Sequence, residues 1–502
     1  MEVLKLSVRE QKESIGIIIS KEKTPNPFMF YFFLYNKEEI LINDFVCVKI
    51  QSGIVVGLIE NIQATSNRYT SEQLLLEYKA LESQITDFFS KDIITVAKCK
   101  VLGYYKNSDE NTLERYSKPL DPGEEVFPLP QTLYYTILKL KTAGLYLGHL
   151  DTIHKIPILL DPNILLPYHF AVIGTTGTGK SYTNGVIIEE AIKKKISVLI
   201  FDVHGEYTKM FEEEQQFEIP KNYRTTIFST NSTKTNNSNI NPISFSFSEL
   251  PRAELGSILG CNDVQHDFLS LFYSELEKNK IEITSVEQFI DEFETIGKRL
   301  KFNNQSVKVI TRKLYRLKSL NIIGEGFDFN YLFKNPQTAI FDLSEESDEF
   351  CQQFIVSTIL TRLFSESKNK SSHPFLIIVE EAHRFAPQDQ DSSCKQILRR
   401  IAREGRKRGL GLGITSQRIV GLDKDLLSQC NTKLILKIDG RTDIDYLMQF
   451  LAIVDLKLLD ILPYLPQGHA IVSGLAVGLP IIVKIRERQT KHGGDTPYFD
   501  QG

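Results

Sequence analysis

A chain of 502 residues is longer than one hydrophobic core usually serves, so two or more domains are expected. With 42% hydrophobic residues, 24% charged residues and a formal charge of -4, it is neither a disordered polyelectrolyte nor a uniformly basic nucleic-acid coat. A local basic lining remains open to it, because net charge says nothing about how charge is distributed.

The first ten residues, MEVLKLSVRE, lack the basic-then-apolar order of a signal peptide. No apolar run is long enough to span a bilayer, and the most apolar stretch, 28–35, reads as a buried strand. Cys47, Cys99, Cys261, Cys351, Cys394 and Cys430 are too widely spaced for a zinc or redox motif. Reduced thiols in a cytoplasmic protein without membrane attachment are therefore expected.

Short β-rich runs (GIIIS, FMFYFFLY, ILINDFVCVKI, GIVVGLI) separated by Pro, Asn, Gly and Lys predict a small N-terminal β-barrel over 1–110. Pro119, Pro122, Gly123, Pro128 and Pro130 predict a linker and entry segment over 111–165. From 166 to 485 apolar strands (FAVIG, SVLIFD, TAIFDL, FLIIVE, GLGLGITS) alternate with amphipathic helices. That alternation predicts an α/β domain with a mainly parallel sheet covered by helices on both faces. Helical periodicity dominates at about 250–325, predicting a helical insertion, and the Asn/Ser/Thr-rich stretch 230–241 reads as a surface loop. Residues 486–502 form a tail.

The strongest chemical signal is Gly174-Thr175-Thr176-Gly177-Thr178-Gly179-Lys180-Ser181, which fits G-x-x-x-x-G-K-[ST] between a strand and a helix. Its glycines let backbone N–H groups turn onto phosphate oxygens, and the helix start adds its dipole. Lys180 is expected to reach the β- and γ-phosphates of ATP, and Ser181 to ligate Mg²⁺, with Tyr182 completing the nucleotide-binding stretch. A chance Gly/Thr-rich turn is the bland alternative.

A phosphate cradle needs acids at neighbouring strand ends. FLIIV delivers Glu380, expected in the Mg²⁺ shell, and Glu381, expected to polarise the attacking water; two glutamates favouring a helix dipole are the competing reading. VLIFD delivers Asp202 as a further metal-site candidate, with a turn-forming aspartate as its competitor and His204, Gly205, Glu206 and Tyr207 just beyond. Gln417, after the strand ending GITS, can hydrogen-bond the γ-phosphate or water, or can simply belong to a surface loop.

Residues 399–408 carry six basic groups against one acid. Such runs are usually solvated helix faces, yet an arginine fork suits phosphate and hydrolysis gains from an arginine supplied by a neighbouring subunit. A head-to-tail contact of that kind closes as a ring. Lys308, Arg312 and Arg316 recur every four residues within a second basic region, 298–318, and make either a phosphate-tracking stripe or a solvated face, with Phe302 and Tyr315 as sparse aromatics nearby.

Together, HFAVIGTTGTGKS, VLIFDVHGEY, FLIIVEEAHRF, AREGRKRGLGLGITSQR and LPQGHAIVSG with LPIIVKIRER resemble the HerA family of hexameric DNA-translocating ATPases, within the HerA/FtsK superfamily, over nearly the whole chain. The resemblance implies a barrel that aids ring assembly and docks partners, a RecA-like motor acting on double-stranded DNA, and a C-terminal segment that braces the neighbouring subunit. It gives Lys180 and Ser181 the Walker A roles, and makes Asp202 an acidic site residue and Glu381 the catalytic glutamate. Arg406 becomes the arginine finger, with Arg403 as second choice. It implies a homo-hexamer working beside a separate effector, a NurA-type nuclease in end processing, or a sirtuin-like NAD-consuming protein or nuclease in antiphage defence. Two other readings share the core: a ring scaffold in which nucleotide is mainly structural, and a conjugation or secretion ATPase, which the lack of a spanning segment disfavours.

Overall fold

The computed structural model describes residues 13–20, 24–36, 40–65, 94–106, 113–152, 155–212, 217–230, 240–247, 250–324, 326, 332, 335–368, 374–451 and 456–494. Packing divides the chain into two units, one of Met1–Thr142 with His149–Ile158 and Val477–Val483, the other of Ala143–Gly148, Leu159–Ala476 and Lys484–Gly502.

The first unit holds a closed antiparallel barrel of β1 (Gly16–Ile18), β2 (Met29–Leu34), β3 (Phe45–Ile50), β4 (Gly53–Thr65), β5 (Ile94–Lys106) and β6 (Glu125–Pro128), in the order β1-β2-β5-β4-β3-β6. Strand β2 shows why: Phe30, Phe32 and Leu34 alternate inward onto Val48, Val55, Ile59, Ala97 and Val126 while their neighbours face out. The sixth strand lies within the segment expected as linker. Pro128 ends β6 where it costs little, so proline density there marks a strand end.

A larger sheet is built on strands β7 (Leu145–Leu150), β8 (Pro157–Leu160), β9 (Phe170–Ile173), β10 (Ser197–Asp202), β11 (Arg224–Ser229), β12 (Ile240–Pro242), β13 (Gln337–Asp342), β14 (Phe375–Val379), β15 (Leu410–Ser416), β16 (Thr432–Ile435), β17 (His469–Gly474) and β18 (Ile481–Ile485). The sheet order is β12-β11-β13-β10-β14-β15-β9-β16-β17-β18-β7-β8. Pairing is parallel from β12 to β16 and turns antiparallel between β16 and β17. Strands β9, β10, β13, β14 and β15 are buried along their whole length, as apolar runs without alternation require. Phe201 pairs with Val379, Val379 with Ile414, and Ser416 with Ile173, so β10, β14, β15 and β9 end side by side.

Helix α1 (Lys180–Lys193) follows β9. Between β12 and β13 lie α2 (Asp263–Asn279), α3 (Val286–Arg299) and α4 (Asn304–Ser319), capped by Asn262, Ser285 and Asn303. They pack through Phe272, Phe289 and Phe293, and Phe302 stacks on Phe268 at 4.2 Å. Part of the basic region 298–318 is spent within the chain. Arg316 pairs with Asp348, Lys318 with Glu287 and Arg299 with Glu275, while the Lys313 amine bonds the Leu259 and Gly260 carbonyls. Lys308 and Arg312 stay exposed. Helices α5 (Glu349–Glu366) and α6 (Ser393–Glu404) complete the elements used below.

All six cysteines are free thiols, and no His/Cys/Asp/Glu metal cluster and no helix long and apolar enough to cross a membrane occurs among the described residues. Residues 231–239 of the expected surface loop and 495–502 of the tail lie outside the described residues.

His169, in the left-handed region at φ 60°, ties three elements together. Its Nδ1 accepts the Leu412 N–H at 3.0 Å, which leaves the proton on Nε2 to donate to the Ala402 carbonyl at 3.0 Å. Burial pushes its pKa down to about 4, although the Ala402 carbonyl opposes the shift. Between the ordinary pH of 6.5 and 4 the unfolded chain therefore binds a proton that the folded chain refuses. The stability tied to this histidine is intact above pH 6.5 and erodes by roughly 3 kcal/mol as the pH falls to 4. Denaturant midpoints from pH 7 to 4 are expected to fall more steeply for the native chain than for His169→Asn, and parallel curves would refute this.

Candidate active site

The phosphate loop leaves β9 at Gly174 and enters α1 at Lys180. Gly177 and Gly179 take φ of 77° and 103°, which only glycine adopts without strain, and this curls the loop around its own amides. The Lys180 amine is parked on the Thr175 carbonyl at 3.0 Å, and the Thr178 hydroxyl donates to the same carbonyl at 2.7 Å. Burial lowers the Lys180 pKa against the pull of Glu381, Glu380 and Glu206.

Gln417 lies against the loop: its Oε1 accepts the Thr176 hydroxyl at 2.5 Å. From the other side, the Gln467 amide donates to the Gly177 carbonyl at 3.1 Å. Tyr182 turns toward the tail, its hydroxyl accepting the Arg488 N–H at 2.6 Å.

The two glutamates are buried and tuned in opposite directions. Burial, reinforced by the charges of Asp202 and Glu206, pushes Glu380 well above the usual carboxylate range. One of its oxygens accepts the Tyr207 hydroxyl at 2.8 Å, the Ser181 side chain is near enough to offset part of the rise, and Oε2 is buried with no partner. A hydroxyl beside an orphaned carboxylate oxygen at the start of α1 fits the protein side of a Mg²⁺ shell, which otherwise draws on waters and phosphate. A bound cation would favour the ionised carboxylate and so oppose that upward shift.

Glu381 takes the opposite setting. Burial alone would raise its pKa, but the nearby His204 and the charges of His383 and Lys180 together hold it below the usual range. His204 Nε2 lies 3.6 Å from one carboxylate oxygen and His383 Nδ1 3.2 Å from the other. Its φ of 46° is a left-handed conformation that a glutamate adopts at a cost of about 1–3 kcal/mol, a strain typical of functional positions. Neighbouring carboxyls with pKa values driven apart can divide acid and base roles.

Asp202 shapes the turn that follows β10. Its Oδ1 accepts the N–H groups of His204, Gly205 and Glu206 at 3.3, 2.8 and 3.2 Å, and its Oδ2 that of Tyr207 at 2.8 Å. Four backbone donors give it the turn-forming role that was the competing reading.

The arginines of residues 399–408 separate by partner. Arg399 forks onto Asp423 at 2.9 and 2.5 Å, Arg400 and Arg408 lie over the Phe364 ring, and Arg403 pairs with Asp425 at 3.4 Å. Arg406 is exposed, rests 4.2 Å from the Tyr168 ring centroid, and has no carboxylate in ion-pair range among the described residues. His204, Tyr207, His383 and Gln467 carry no separate role in the sequence reading. Their signal is position alone, since the first three fall within five residues of a strand end.

A family model described as "Helicase HerA, central domain" matches residues 145–363. The DNA double-strand break repair helicase HerA of Sulfurisphaera tokodaii is 30% identical over 355 residues, covering 66% of this chain and 67% of that protein. The chain belongs to the HerA helicase family. It is accordingly a P-loop ATPase. The HerA of Pyrococcus furiosus is 27% identical and covers 94% of this chain and 92% of its own. Among solved structures, the bacterial conjugative coupling protein TrwB shares the fold, with a TM-score of 0.51 and 12% identity over 73% of this chain and 94% of that one.

Proposed function

We propose that this HerA-family chain is the subunit of a cytoplasmic hexameric motor that hydrolyses Mg²⁺·ATP to translocate double-stranded DNA. In this reading it works beside a separate nuclease-type or NAD-consuming effector in end processing or antiphage defence. The observation that carries the hydrolytic part is Glu381, an ionised carboxylate held between His204 and His383 and facing the charge of Lys180. There it accepts hydrogen bonds from an attacking water and raises its nucleophilicity. Ser181 and Glu380 would hold Mg²⁺, whose charge would offset that of the phosphates. Lys180 leaves the Thr175 carbonyl for the phosphates, and Gln417, bonded to Thr176, reports the state of the γ-phosphate to β15.

The ring is supported by Arg406, exposed and with no carboxylate in ion-pair range among the described residues, as a finger for the next subunit requires. DNA as cargo is supported by relatives named as double-strand break repair helicases. The test is ATP hydrolysis with and without linear duplex DNA, alongside particle images of the protein with ATP. Hydrolysis stimulated several-fold by duplex and six-membered rings are expected. DNA-indifferent turnover by a strict monomer would overturn the reading.

A further inference from the structure

The resemblance implies a tail that braces a neighbour, yet the described tail residues are spent within their own chain. Glu189 and Glu190, both buried on α1, receive Arg486 at 2.8 Å each. The Gln489 and Thr490 N–H groups and the Thr490 hydroxyl also converge on Glu189 Oε1 at 2.7–2.8 Å. Further along, Lys491 meets Glu212 at 2.5 Å, and the Gly493 N–H donates to the Glu206 carbonyl at 3.2 Å. The segment thus bridges the helix that carries Ser181 and the loop that follows Asp202.

Arg488 sits at the centre of this bridge. Its N–H is on the Tyr182 hydroxyl, its Nε donates to the Thr490 hydroxyl at 2.7 Å, and Nη1 lies 3.2 Å from His492 Nδ1. Its guanidinium is 5.9 Å from the centroid of Tyr207, the residue whose hydroxyl holds Glu380. Nη2 is buried without a hydrogen-bond partner, a cost that calls for a reason. The helix makes room for this group: a Cβ built on Gly185 would stand 2.6–2.8 Å from three guanidinium atoms. A glycine in mid-helix is unfavourable by propensity, and the approach of Arg488 accounts for it.

We infer that residues 486–494 are an intrachain strap in which Arg488, through Tyr207, is a positioning residue for Glu380. The inference rests on the reading of Glu380 as a Mg²⁺ ligand. Removing the guanidinium frees the Tyr207 ring, so the Glu380 carboxylate loses the orientation its orphaned oxygen needs. Groups that orient a metal ligand in this way are typically worth about 10–100-fold in metal affinity.

The test is equilibrium binding of ADP to the full chain, with Mg²⁺ and with chelator, for Arg488→Ala, Gly185→Ala and Glu380→Gln, with thermal midpoints taken without nucleotide. Gly185→Ala keeps every strap residue and favours the helix, yet evicts the guanidinium, so it covers the case in which Arg488→Ala fails to fold. We expect Arg488→Ala and Gly185→Ala to weaken Mg²⁺·ADP binding about tenfold while metal-free ADP binds as to the native chain. Native-like Mg²⁺·ADP binding by both, with Glu380→Gln weakened, overturns the strap and leaves the metal reading standing. Equal losses with and without Mg²⁺ also overturn it, since that is what a purely structural strap would give. Native-like Mg²⁺ dependence in Glu380→Gln overturns the metal reading, and the inference with it.

Discussion

Replacing Glu381 by glutamine is expected to lower ATP turnover by about 10²–10⁴-fold while nucleotide still binds. The two side chains have nearly the same shape, so the left-handed turn at Glu381 and the start of the helix Ala382–Phe385 are retained. What goes is the negative charge that His204, His383 and Lys180 stabilise. Without it an attacking water has no strong acceptor, whereas the phosphate loop, Ser181 and Glu380 are untouched. Single-turnover hydrolysis beside direct nucleotide binding separates the two effects, and native turnover in the variant would remove Glu381 from the mechanism. The sign of the pH dependence follows from the same contacts. Because Glu381 is held below the usual carboxylate range, it stays ionised as pH falls, so its protonation limits turnover only below that range.

The parts of this site that were legible in sequence are those written in one short stretch or at one strand end. The phosphate loop is contiguous, and apolar runs ending in polar residues announce Glu380, Glu381 and Gln417. Parallel register then brings those ends together without further instruction. Asp202 was legible as a residue but not as a role, because both readings put an aspartate at the same strand end and only its four backbone donors separate them. The Tyr207–Glu380 bond was not legible, since it spans 173 positions and depends on the turn that Asp202 shapes. The same holds for Arg488 on Tyr182, 306 positions apart, for which a mid-helix glycine was the sole local hint. Strand β6 escaped notice because four residues among prolines carry too little periodicity to outweigh the prolines.

The arginine choice can be settled by mixing subunits. Arg406→Ala is expected to lower turnover about 10³-fold, the low end for loss of an arginine finger. Arg403→Ala should cost far less, because Asp425 already shares its charge and an exposed pair of that kind contributes little. If Arg406 serves the adjacent subunit, two separately inactive proteins become complementary. A subunit with Arg406→Ala keeps Glu381, and a neighbour with Glu381→Gln supplies Arg406, so one class of interface in a mixed ring is whole. Co-assembling the two variants at equal amounts should therefore restore a measurable share of ATP hydrolysis, and restore none if Arg406 acts within its own chain. Complementation would also require contact between subunits during turnover, so the same measurement tests ring assembly. The Tyr168 contact makes a finer test possible: Tyr168→Leu removes the ring beneath the guanidinium but leaves its charge. Turnover should then fall only modestly if the arginine leaves that ring to reach a neighbour's nucleotide, and by as much as in Arg406→Ala if the ring is what aims it.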